Sequence, residues 1–446
     1  MKLIPLILAT LYTVSMNFST IYADQTKFNS PQNIISNSVI LIDAQSGLEL
    51  YSKNAHSQDY PASITKVMTA LLAIEFAGDN YSDTIYFEDS SVFGIPRHSN
   101  HIAMDVGDTL PLSEALLAIL LESANEVSIA VAEYVSGSEV EFAKLMTARA
   151  KELGALSTNF TNATGLPDPN HYTTAYDMAQ ILREAIKHDK FIELITTKSH
   201  MIPPTERQPE HRPLNNSHRM IQNGGTYFYD GVVGGKTGYT IEAQHTLVTY
   251  ATRDNIELIA VILRGEKNSP YTDSRQLFDY GFSLYDNMFS FDKNNFAKSV
   301  PIYQSGTEQE TPVGNATVIP QRNFNKLIPH FIELAKIKTE AVLPDKIYDN
   351  VNIADVVGQL NFNYDGVTLE SINLLVSDAT IVLSASQDES MSNPIEESDT
   401  QSFAINPIWL IISAILLSVV AFITFQYFRG RRMSRRFKIN YRSPRR

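Results

Sequence analysis

The chain of 446 residues is longer than one hydrophobic core usually organises, which predicts at least two domains. Its 43% hydrophobic and 10% aromatic content argues against a disordered chain, and the absence of cysteine excludes disulfides, iron–sulfur clusters and cysteine nucleophiles. The net charge of −13 disfavours binding to nucleic acid or to an anionic membrane, provided that the charge is evenly spread.

The charge is unevenly spread along the chain. Residues 401–446 hold nine basic residues and no acidic one, and residues 1–23 hold only Lys2. Residues 24–400 therefore carry 26 basic and 49 acidic residues, a net charge of −23. The central part is strongly acidic, and only the C-terminal end suits a negatively charged surface.

Residues 1–23 predict a secretory signal peptide. Lys2 precedes an apolar stretch, and a polar run then ends at Ala23, the small residue expected at a cleavage site. We expect cleavage after Ala23; an uncleaved signal anchor is the alternative, because Ile21 is larger than the usual residue at its position. In both cases most of the chain is expected outside the cytoplasm.

Residues 38–52, SVILIDAQSGLELYS, predict a β-hairpin because two apolar runs flank a Gln-Ser-Gly turn. Pro61 then begins an apolar-periodic helix that ends at Gly78. Ser63 in its first turn and Lys66 three residues later share one helix face, a spacing that suits a nucleophile and its base. This motif is weak alone, since a capping Ser and a solvated Lys give the same pattern.

Further along, LLESANEVSIA places Ser123 and Asn125 between two helical stretches, where a hydroxyl and an amide can point into a cleft. Helix capping is the alternative role for this Ser-x-Asn pattern. Ser138 with Glu141 predicts a capping box at the start of another helix, and Thr174 precedes a further one.

The stretch Gly-Gly-Lys-Thr-Gly at 234–238 is the most specific of the three motifs. Its glycines allow close backbone approach, and Lys236 and Thr237 offer a cation and a hydroxyl to an anion; a β-turn with a solvated Lys is the alternative. The runs QHTLVTYATR and IELIAVIL that follow predict paired strands joined by Asp254 and Asn255. The order of strands, helices and strands predicts a mixed α/β domain rather than an alternating βαβ fold.

Helix signals become rare over residues 290–385. VGQLNFNYDGVTLESINLLV predicts a hairpin that turns at Asp365 and Gly366, so we expect a small all-β domain. Residues 386–406 hold several acids, many serines and few large apolar side chains, which predicts a solvated linker.

Residues 407–428 carry no charge and are rich in large apolar side chains. As a helix they would span ~33 Å, enough to cross a hydrocarbon core of ~30 Å, so we predict a transmembrane helix. A buried core helix is the alternative, but such a helix is normally shorter and lacks the asymmetric flanks of this segment. Residues 429–446 form a basic tail that the positive-inside rule assigns to the cytoplasm, with nucleic-acid binding by the tail as the alternative. These segments predict a single-pass protein of the cell membrane with its main body extracytoplasmic.

The three motifs together form a strong constellation, because they follow one another on a predicted helix, an inter-helix turn and a strand. With them, the sequence resembles the penicillin-recognising serine enzymes, specifically the low-molecular-mass penicillin-binding D-alanyl-D-alanine carboxypeptidases. The segments that carry the resemblance are VILIDAQSGLELYSKNA, YPASITKVMTALLA, LESANEVSIAVAEYV, LMTARAKELGALSTNFTNATGLPDPNHYTTAYDMA and YDGVVGGKTGYT. It covers residues 35–285, and more loosely the β domain to 385.

The resemblance implies a mixed α/β fold of the α+β type, in which helices flank an antiparallel sheet. Residues 30–285 would form a serine β-lactamase/DD-peptidase-like catalytic domain, with an antiparallel sheet flanked by helices and a helical subdomain. The small all-β domain and one C-terminal transmembrane helix would follow. One departure is local: family members usually show Ala-Gly near the start of the strand after the Lys-Thr-Gly motif, whereas this chain has Ala243 followed by Gln244.

The resemblance also implies a role for each motif residue in the reaction. Ser63 would be acylated by the carbonyl of the penultimate D-alanine, with Lys66 as the general base, its pKa lowered by Lys236. Ser123 would relay a proton to the departing D-alanine, and Asn125 would hold the substrate amide.

The remaining implied roles concern charge. Lys236, Thr237 and Arg219 would face the terminal carboxylate, and the backbone N–H groups of Ser63 and Tyr239 would form the oxyanion hole. Because the central part of the chain is strongly acidic, capture of an anionic terminus must depend on such local cations.

The implied partners are a peptidoglycan stem peptide ending in D-Ala-D-Ala, β-lactam antibiotics and the cytoplasmic membrane, the last through residues 407–428. No metal, cofactor or nucleic acid is implied, and structural roles are favoured for His171 and His245 over a Ser-His pair or a metal site. The alternatives to a carboxypeptidase are a serine β-lactamase, a DD-endopeptidase and a non-catalytic penicillin-binding scaffold.

Overall fold

The computed structural model describes residues 30–306 and 311–381, which belong to one compact unit. The predicted signal peptide at 1–23 lies outside the described residues, as do the predicted linker, transmembrane helix and basic tail at 386–446. Among the helices of the two described ranges, none is both long and apolar enough to span a bilayer.

The part of the chain up to residue 283 contains all of the α-helices in the described ranges. They are α1 (Lys66–Ala77), α2 (Asp89–Phe93), α3 (Leu112–Leu117), α4 (Asn125–Ser136), α5 (Glu139–Glu152), α6 (Ala175–Ala185), α7 (Asp189–Thr196) and α8 (Ser269–Ser283). Its strands are β1 (Ser38–Asp43), β2 (Glu49–Lys53), β3 (Thr84–Tyr86), β4 (Thr109–Pro111), β5 (Ser199–Ile202), β6 (Arg212–Asn215), β7 (Val232–Thr240), β8 (Gln244–Arg253) and β9 (Ile256–Gly265).

A five-stranded antiparallel sheet in the order β2-β1-β9-β8-β7 forms the centre of this part. It joins the N-terminal hairpin to strands from the far side of the helices, which confirms the predicted mixed α+β arrangement. Asp254 and Asn255 make the β8–β9 turn with φ angles of 51° and 63°, the left-handed conformation that two-residue hairpins require.

Strand β9 is buried on both faces and separates two cores. Leu258, Ala260 and Ile262 pack with residues of α8, whereas Ile259 and Val261 alternate with them and pack toward α1 and the other helices. The sheet therefore lies between one helix and a larger helical layer.

Two of the predicted helix starts are confirmed by their caps. The Ser138 hydroxyl accepts a hydrogen bond from the Glu141 backbone N–H at 3.2 Å, and the Thr174 hydroxyl accepts one from Asp177 N–H at 3.0 Å. The helix predicted to begin at Pro61 is wrong in its start, since Ala62–Thr65 is a 3₁₀ turn and α1 begins at Lys66.

The reason lies in the residues before the nucleophile. The Pro61 carbonyl, which would start an α-helical hydrogen-bond series, accepts instead from the Thr246 hydroxyl of β8 at 2.8 Å. Ala62 then has a left-handed φ of 51°, which an α-helix excludes. Ser63 is thereby attached to the sheet as well as to α1.

Residues after 283 are all-β apart from short 3₁₀ turns in the described ranges. The strands are β10 (Tyr285–Phe291), β11 (Lys298–Tyr303), β12 (Gly314–Pro320), β13 (Phe324–Pro329), β14 (Lys338–Val342), β15 (Ile347–Tyr348), β16 (Val356–Tyr364) and β17 (Val367–Ile381). Six of them form a sheet in the order β14-β16-β17-β12-β11-β15, and β10 pairs with β13.

The predicted hairpin of this region is confirmed, with Asp365 and Gly366 at positive φ between β16 and β17. Phe289, Phe324 and Phe362 pack edge to face, with ring centroids 5.1 to 5.5 Å apart. Strand β10 begins at Tyr285 and so spans the predicted boundary between 285 and 290; the division of the chain into domains stays a prediction.

Candidate active site

Ser63 lies where the 3₁₀ turn meets strand β7, and its side chain is partly exposed. Strand β7 approaches so closely that a Cβ on Gly238 would lie 2.8 Å from the Ser63 backbone nitrogen and 2.4 Å from the Thr246 hydroxyl. Only glycine permits this approach. The third motif is therefore seated directly against the first.

Lys66 is fully buried, and its amine has three oxygen atoms within reach. Its Nζ lies 3.3 Å from Ser63 Oγ, 2.7 Å from Asn125 Oδ1 and 2.6 Å from the carbonyl oxygen of Thr164. The structure thus brings the predicted nucleophile, base and amide together. The contact with Thr164 had no signal in the sequence.

Burial is the main cause that holds the pKa of Lys66 well below 10.5, and the nearby positive charge of Lys236 lowers it further. A neutral lysine amine carries two hydrogens and one lone pair. Once the amine is neutral, the two short contacts, to Asn125 and Thr164, can take both hydrogens, and its lone pair is then available to the Ser63 hydroxyl. This arrangement suits a general base.

Ser123 ends a π-helical turn, Ala118–Glu122, with a left-handed φ of 63°. The residue is 4% exposed, and within the described part of the chain its hydroxyl has no hydrogen-bond partner. Non-glycine residues with this backbone conformation are uncommon and cluster at functional sites. An unsatisfied hydroxyl two residues before Asn125 suits proton transfer to or from a bound substrate.

Lys236 lies on β7 and is 1% exposed. Its Nζ donates to the carbonyl of Thr237 at 3.1 Å. Burial lowers the pKa of Lys236 to about 7, and the charge of Glu122 opposes this effect. A desolvated amine with so low a pKa gains its proton more readily when an anion binds beside it.

Ser217 is a site residue that the sequence analysis missed. Its hydroxyl lies 2.7 Å from the hydroxyl of Thr237. Its backbone is fixed on both sides, since its N–H donates to the Leu121 carbonyl at 3.4 Å and its carbonyl accepts from the Tyr271 hydroxyl at 3.3 Å. A single Ser ahead of Arg219 gave no motif by which to find it.

Arg219 is exposed and held by aromatic rings. Its guanidinium carbon lies 4.3 Å from the ring centre of Tyr227 and 5.7 Å from that of Tyr271, and Nη1 donates to Asn268 Oδ1 at 3.3 Å. It follows Ser217 by two residues, which places its backbone near the Thr237 hydroxyl. A direct contact of Arg219 with substrate stays a prediction.

Tyr239 lies on the exposed rim of the candidate active site. It is 59% exposed, and its ring lies 4.6 Å from that of His245 on the paired strand. Between them the turn carries Gln244 at a left-handed φ of 56°. The oxyanion-hole roles of the Ser63 and Tyr239 N–H groups stay predictions.

His171 has a structural role, as predicted. Its Nε2 lies 2.9 Å from the Thr65 hydroxyl, and its Nδ1 accepts from Thr161 N–H at 3.1 Å, so both ring nitrogens are used. The ring braces the turn that carries the nucleophile against the segment that leads to Thr164.

One group of metal-type side chains occurs in the described residues, namely Glu75, Glu184 and His188. The guanidinium of Arg149 contacts both carboxylates, at 2.7 and 3.3 Å, so a side-chain cation already neutralises them. None of the hydrogen bonds described above joins this cluster to the residues of the three motifs.

Comparison with known proteins agrees with this geometry. The D-alanyl-D-alanine carboxypeptidase family matches residues 25–267. The D-alanyl-D-alanine carboxypeptidase DacF of Bacillus subtilis is 31% identical over 336 residues, 74% of this chain and 82% of its own. The D-alanyl-D-alanine carboxypeptidase DacC of Escherichia coli is 28% identical over 368 residues, which cover 79% of this chain and 87% of the DacC chain.

Among solved structures, penicillin binding protein 5 from Haemophilus influenzae aligns with a TM-score of 0.59. It is 23% identical, and the alignment covers 78% of this chain and 99% of that one, which shows the shared fold. Because the family match extends over more than half of the sequence, the chain belongs to the D-alanyl-D-alanine carboxypeptidase family of serine peptidases.

Proposed function

We propose that this protein is a serine D-alanyl-D-alanine carboxypeptidase, which removes the terminal D-alanine of peptidoglycan stem peptides and is acylated by β-lactams. The observation that carries the proposal is the hydrogen bonding of Lys66. Its amine lies 3.3 Å from Ser63 Oγ and is oriented by two shorter contacts, to Asn125 Oδ1 and the Thr164 carbonyl, while burial holds the pKa of Lys66 well below its usual value. Family membership supports the reaction class, and this contact supports Ser63 as the nucleophile and Lys66 as its base.

Acylation begins when Ser63 Oγ attacks the carbonyl carbon of the penultimate D-alanine. Lys66 takes the hydroxyl proton, and the new C–O bond gives a tetrahedral oxyanion. The backbone N–H groups of Ser63 and Tyr239 would stabilise this charge. Ser63 is partly exposed and lies against β7, the edge strand of the five-stranded sheet, and an extended peptide would lie beside that strand.

The C–N bond to the terminal D-alanine then breaks, and the leaving amine needs a proton. Ser123, with its unpartnered hydroxyl, would pass one from protonated Lys66. The carboxylate of the leaving D-alanine would lie by Lys236 and Thr237, with Arg219 adding positive charge. Water would hydrolyse the acyl-enzyme, with Lys66 again as the base.

We also propose that the enzyme acts outside the cytoplasmic membrane, held there by residues 407–428. The support is the sequence alone, through the predicted signal, the apolar segment and the basic tail. Peptidoglycan is built on that side, so the location matches the substrate.

The test is intact-mass analysis of the full chain in detergent after incubation with benzylpenicillin, followed by peptide mapping. We expect one adduct, on Ser63, that persists for many minutes, together with D-alanine release from a peptide ending in D-Ala-D-Ala. Ser63→Ala should lose both, whereas the exposed Ser57→Ala should keep both. Peptide hydrolysis that survives Ser63→Ala would refute the proposal.

The same experiment separates the alternatives. Rapid loss of the penicillin adduct with turnover would indicate a β-lactamase, and a stable adduct without D-alanine release would indicate a non-catalytic scaffold. Digestion of cross-linked muropeptides would reveal endopeptidase activity, which uses the same residues.

A further inference from the structure

The two short acceptors of Lys66 both lie in segments that lack regular support. Asn125 is the first residue of α4, and the residue before it, Ala124, offers no side-chain cap. Thr164 lies in an irregular segment between α5 and α6. Each acceptor must be held within tenths of an ångström, because a misplaced acceptor releases the lysine amine. In each case a glutamate binds one backbone N–H, either in the loop that caps Asn125 or in the segment that contains Thr164.

Glu126 supports the Asn125 side. It is 2% exposed, and its Oε1 accepts from the backbone N–H of Ile102 at 2.6 Å. The same loop supplies the missing cap, since the Asn100 carbonyl accepts from the Asn125 N–H at 2.9 Å. Glu126 therefore fastens the loop that caps α4. Helix α4 in turn presents Asn125 to Lys66.

The loop needs such a fastening. Ile102 and Met104 are buried in the main core, but Ala103 between them has a left-handed φ of 58°. That conformation costs an alanine about 1 kcal/mol or more, so the loop would relax if its end were released. The second oxygen of Glu126, Oε2, is buried without a hydrogen-bond partner in the described structure, so the contact with Ile102 carries the residue's role.

Glu139 supports the Thr164 side in the same manner. Its Oε1 accepts from the backbone N–H of Ala163 at 3.0 Å, and the Ala163 carbonyl accepts from the Thr69 hydroxyl at 2.7 Å. The next carbonyl along the chain, that of Thr164, is the one that accepts from Lys66. The two peptide groups that precede the one that holds the amine are thus fixed from α5 and from α1.

We propose that Glu126 and Glu139 are positioning residues for acylation: each binds one backbone N–H and so fixes one of the two acceptors that orient Lys66. Burial and the charge of Lys236 lower the pKa of Lys66, and the charges of both carboxylates raise it. In the rate of acylation, reach outweighs this effect of charge. The inference rests on the proposed function, because it concerns the acylation of Ser63.

The test separates reach from charge at each position. Glu→Gln keeps an acceptor oxygen at the same distance and removes the charge, whereas Glu→Asp keeps the charge and withdraws the oxygen by one methylene. The probe is a fluorescent penicillin, mixed with the full chain in detergent under single-turnover conditions. This measurement gives the acylation rate constant separately from the affinity of the prior complex.

We expect Glu126→Gln and Glu139→Gln to acylate within about threefold of the unmodified chain, and the two Asp variants to slow by on the order of tenfold or more in the rate constant. The affinity of the prior complex should not change. Glu141→Gln, on the exposed face of α5, is the matched control and should behave like the unmodified chain.

Slow Gln variants would overturn the inference, since they would show that charge is required, and so would Asp variants that acylate normally. The inference would be supported if the Gln variants acylated like the unmodified chain and the Asp variants acylated slowly while remaining folded. Near-ultraviolet circular dichroism shows whether each variant is folded. If the unmodified chain formed no adduct on Ser63, the proposed function itself would fail, which is a distinguishable result.

Discussion

Gly165 connects the nucleophile to the segment that holds its base. It follows Thr164 directly, and it packs against the carbonyl of Ala62, the residue before Ser63. The substitution Gly165→Ala adds a single methyl group at this junction. Its effect on acylation tests whether Ser63 and Lys66 are held by the packing described above.

The magnitude follows from two separate penalties. Gly165 has a φ of +83°, where alanine costs about 1 to 2 kcal/mol. The new Cβ would also lie 1.9 Å from the Ala62 oxygen and 2.9 Å from the Thr65 hydroxyl, so the backbone on one side must move. A shift of about 1 Å at a catalytic group can cost about a hundredfold in rate, which is the loss we expect.

The assay compares Gly165→Ala with Gly154→Ala. Gly154 has nearly the same φ, +82°, but an added Cβ would meet nothing within 4 Å, so this control carries the backbone penalty alone. Penicillin acylation and urea unfolding are measured for both. Gly154→Ala should lose about 1 kcal/mol of stability and no acylation rate. Equal acylation by the two variants would refute the reasoning.

Three further predictions concern charge and strain. The rate of acylation should rise with pH as Lys66 loses its proton, at a pH well below 10.5. The KM for a D-Ala-D-Ala peptide should rise above about pH 7, because Lys236 then loses its charge. A peptide amide, which lacks the carboxylate, should show no such rise in KM. Burial lowers the pKa of both His171 and His218 to about 4, so between pH 6.5 and 4 these histidines bind protons only in the unfolded chain. The free energy of unfolding should therefore fall by about 3 kcal/mol per histidine over this range. A His218→Asn variant whose free energy of unfolding, measured in urea, fell with pH as steeply as that of the unmodified chain would contradict this. Gln244→Gly should raise the free energy of unfolding by about 0.5 to 1 kcal/mol, because glycine removes the strain of φ 56°, and a loss of stability in thermal unfolding would count against that assignment.

The sequence predicted those elements whose signals are local. The β8–β9 turn depends on two adjacent residues, Asp254 and Asn255, and the starts of α5 and α6 on hydroxyls three residues from the N–H groups that they bind. The same is true of Ser63 and Lys66, which the spacing placed together although the turn between them is 3₁₀ rather than α-helical.

Contacts between distant segments had no such signal. The Thr164 carbonyl reaches Lys66 across 98 positions of sequence, and the Ser217 hydroxyl reaches Thr237 from an irregular segment. Main-chain carbonyls are present at every position, so the one that binds the catalytic lysine cannot be recognised from residue type. The left-handed Ala62 has the same difficulty, since nothing in an alanine predicts a positive φ.

The close approach of β7 to the turn of Ser63 has a consequence for folding studies. The proposed nucleophile Ser63, its proposed base Lys66 and Lys236 come from both the helical layer and the sheet, and Gly238 contacts the turn of Ser63 where the two layers meet. A chain that had formed either layer alone would have no reactive serine. Covalent labelling by a penicillin during refolding should therefore count the molecules in which the two layers have docked, and give the rate of that docking directly.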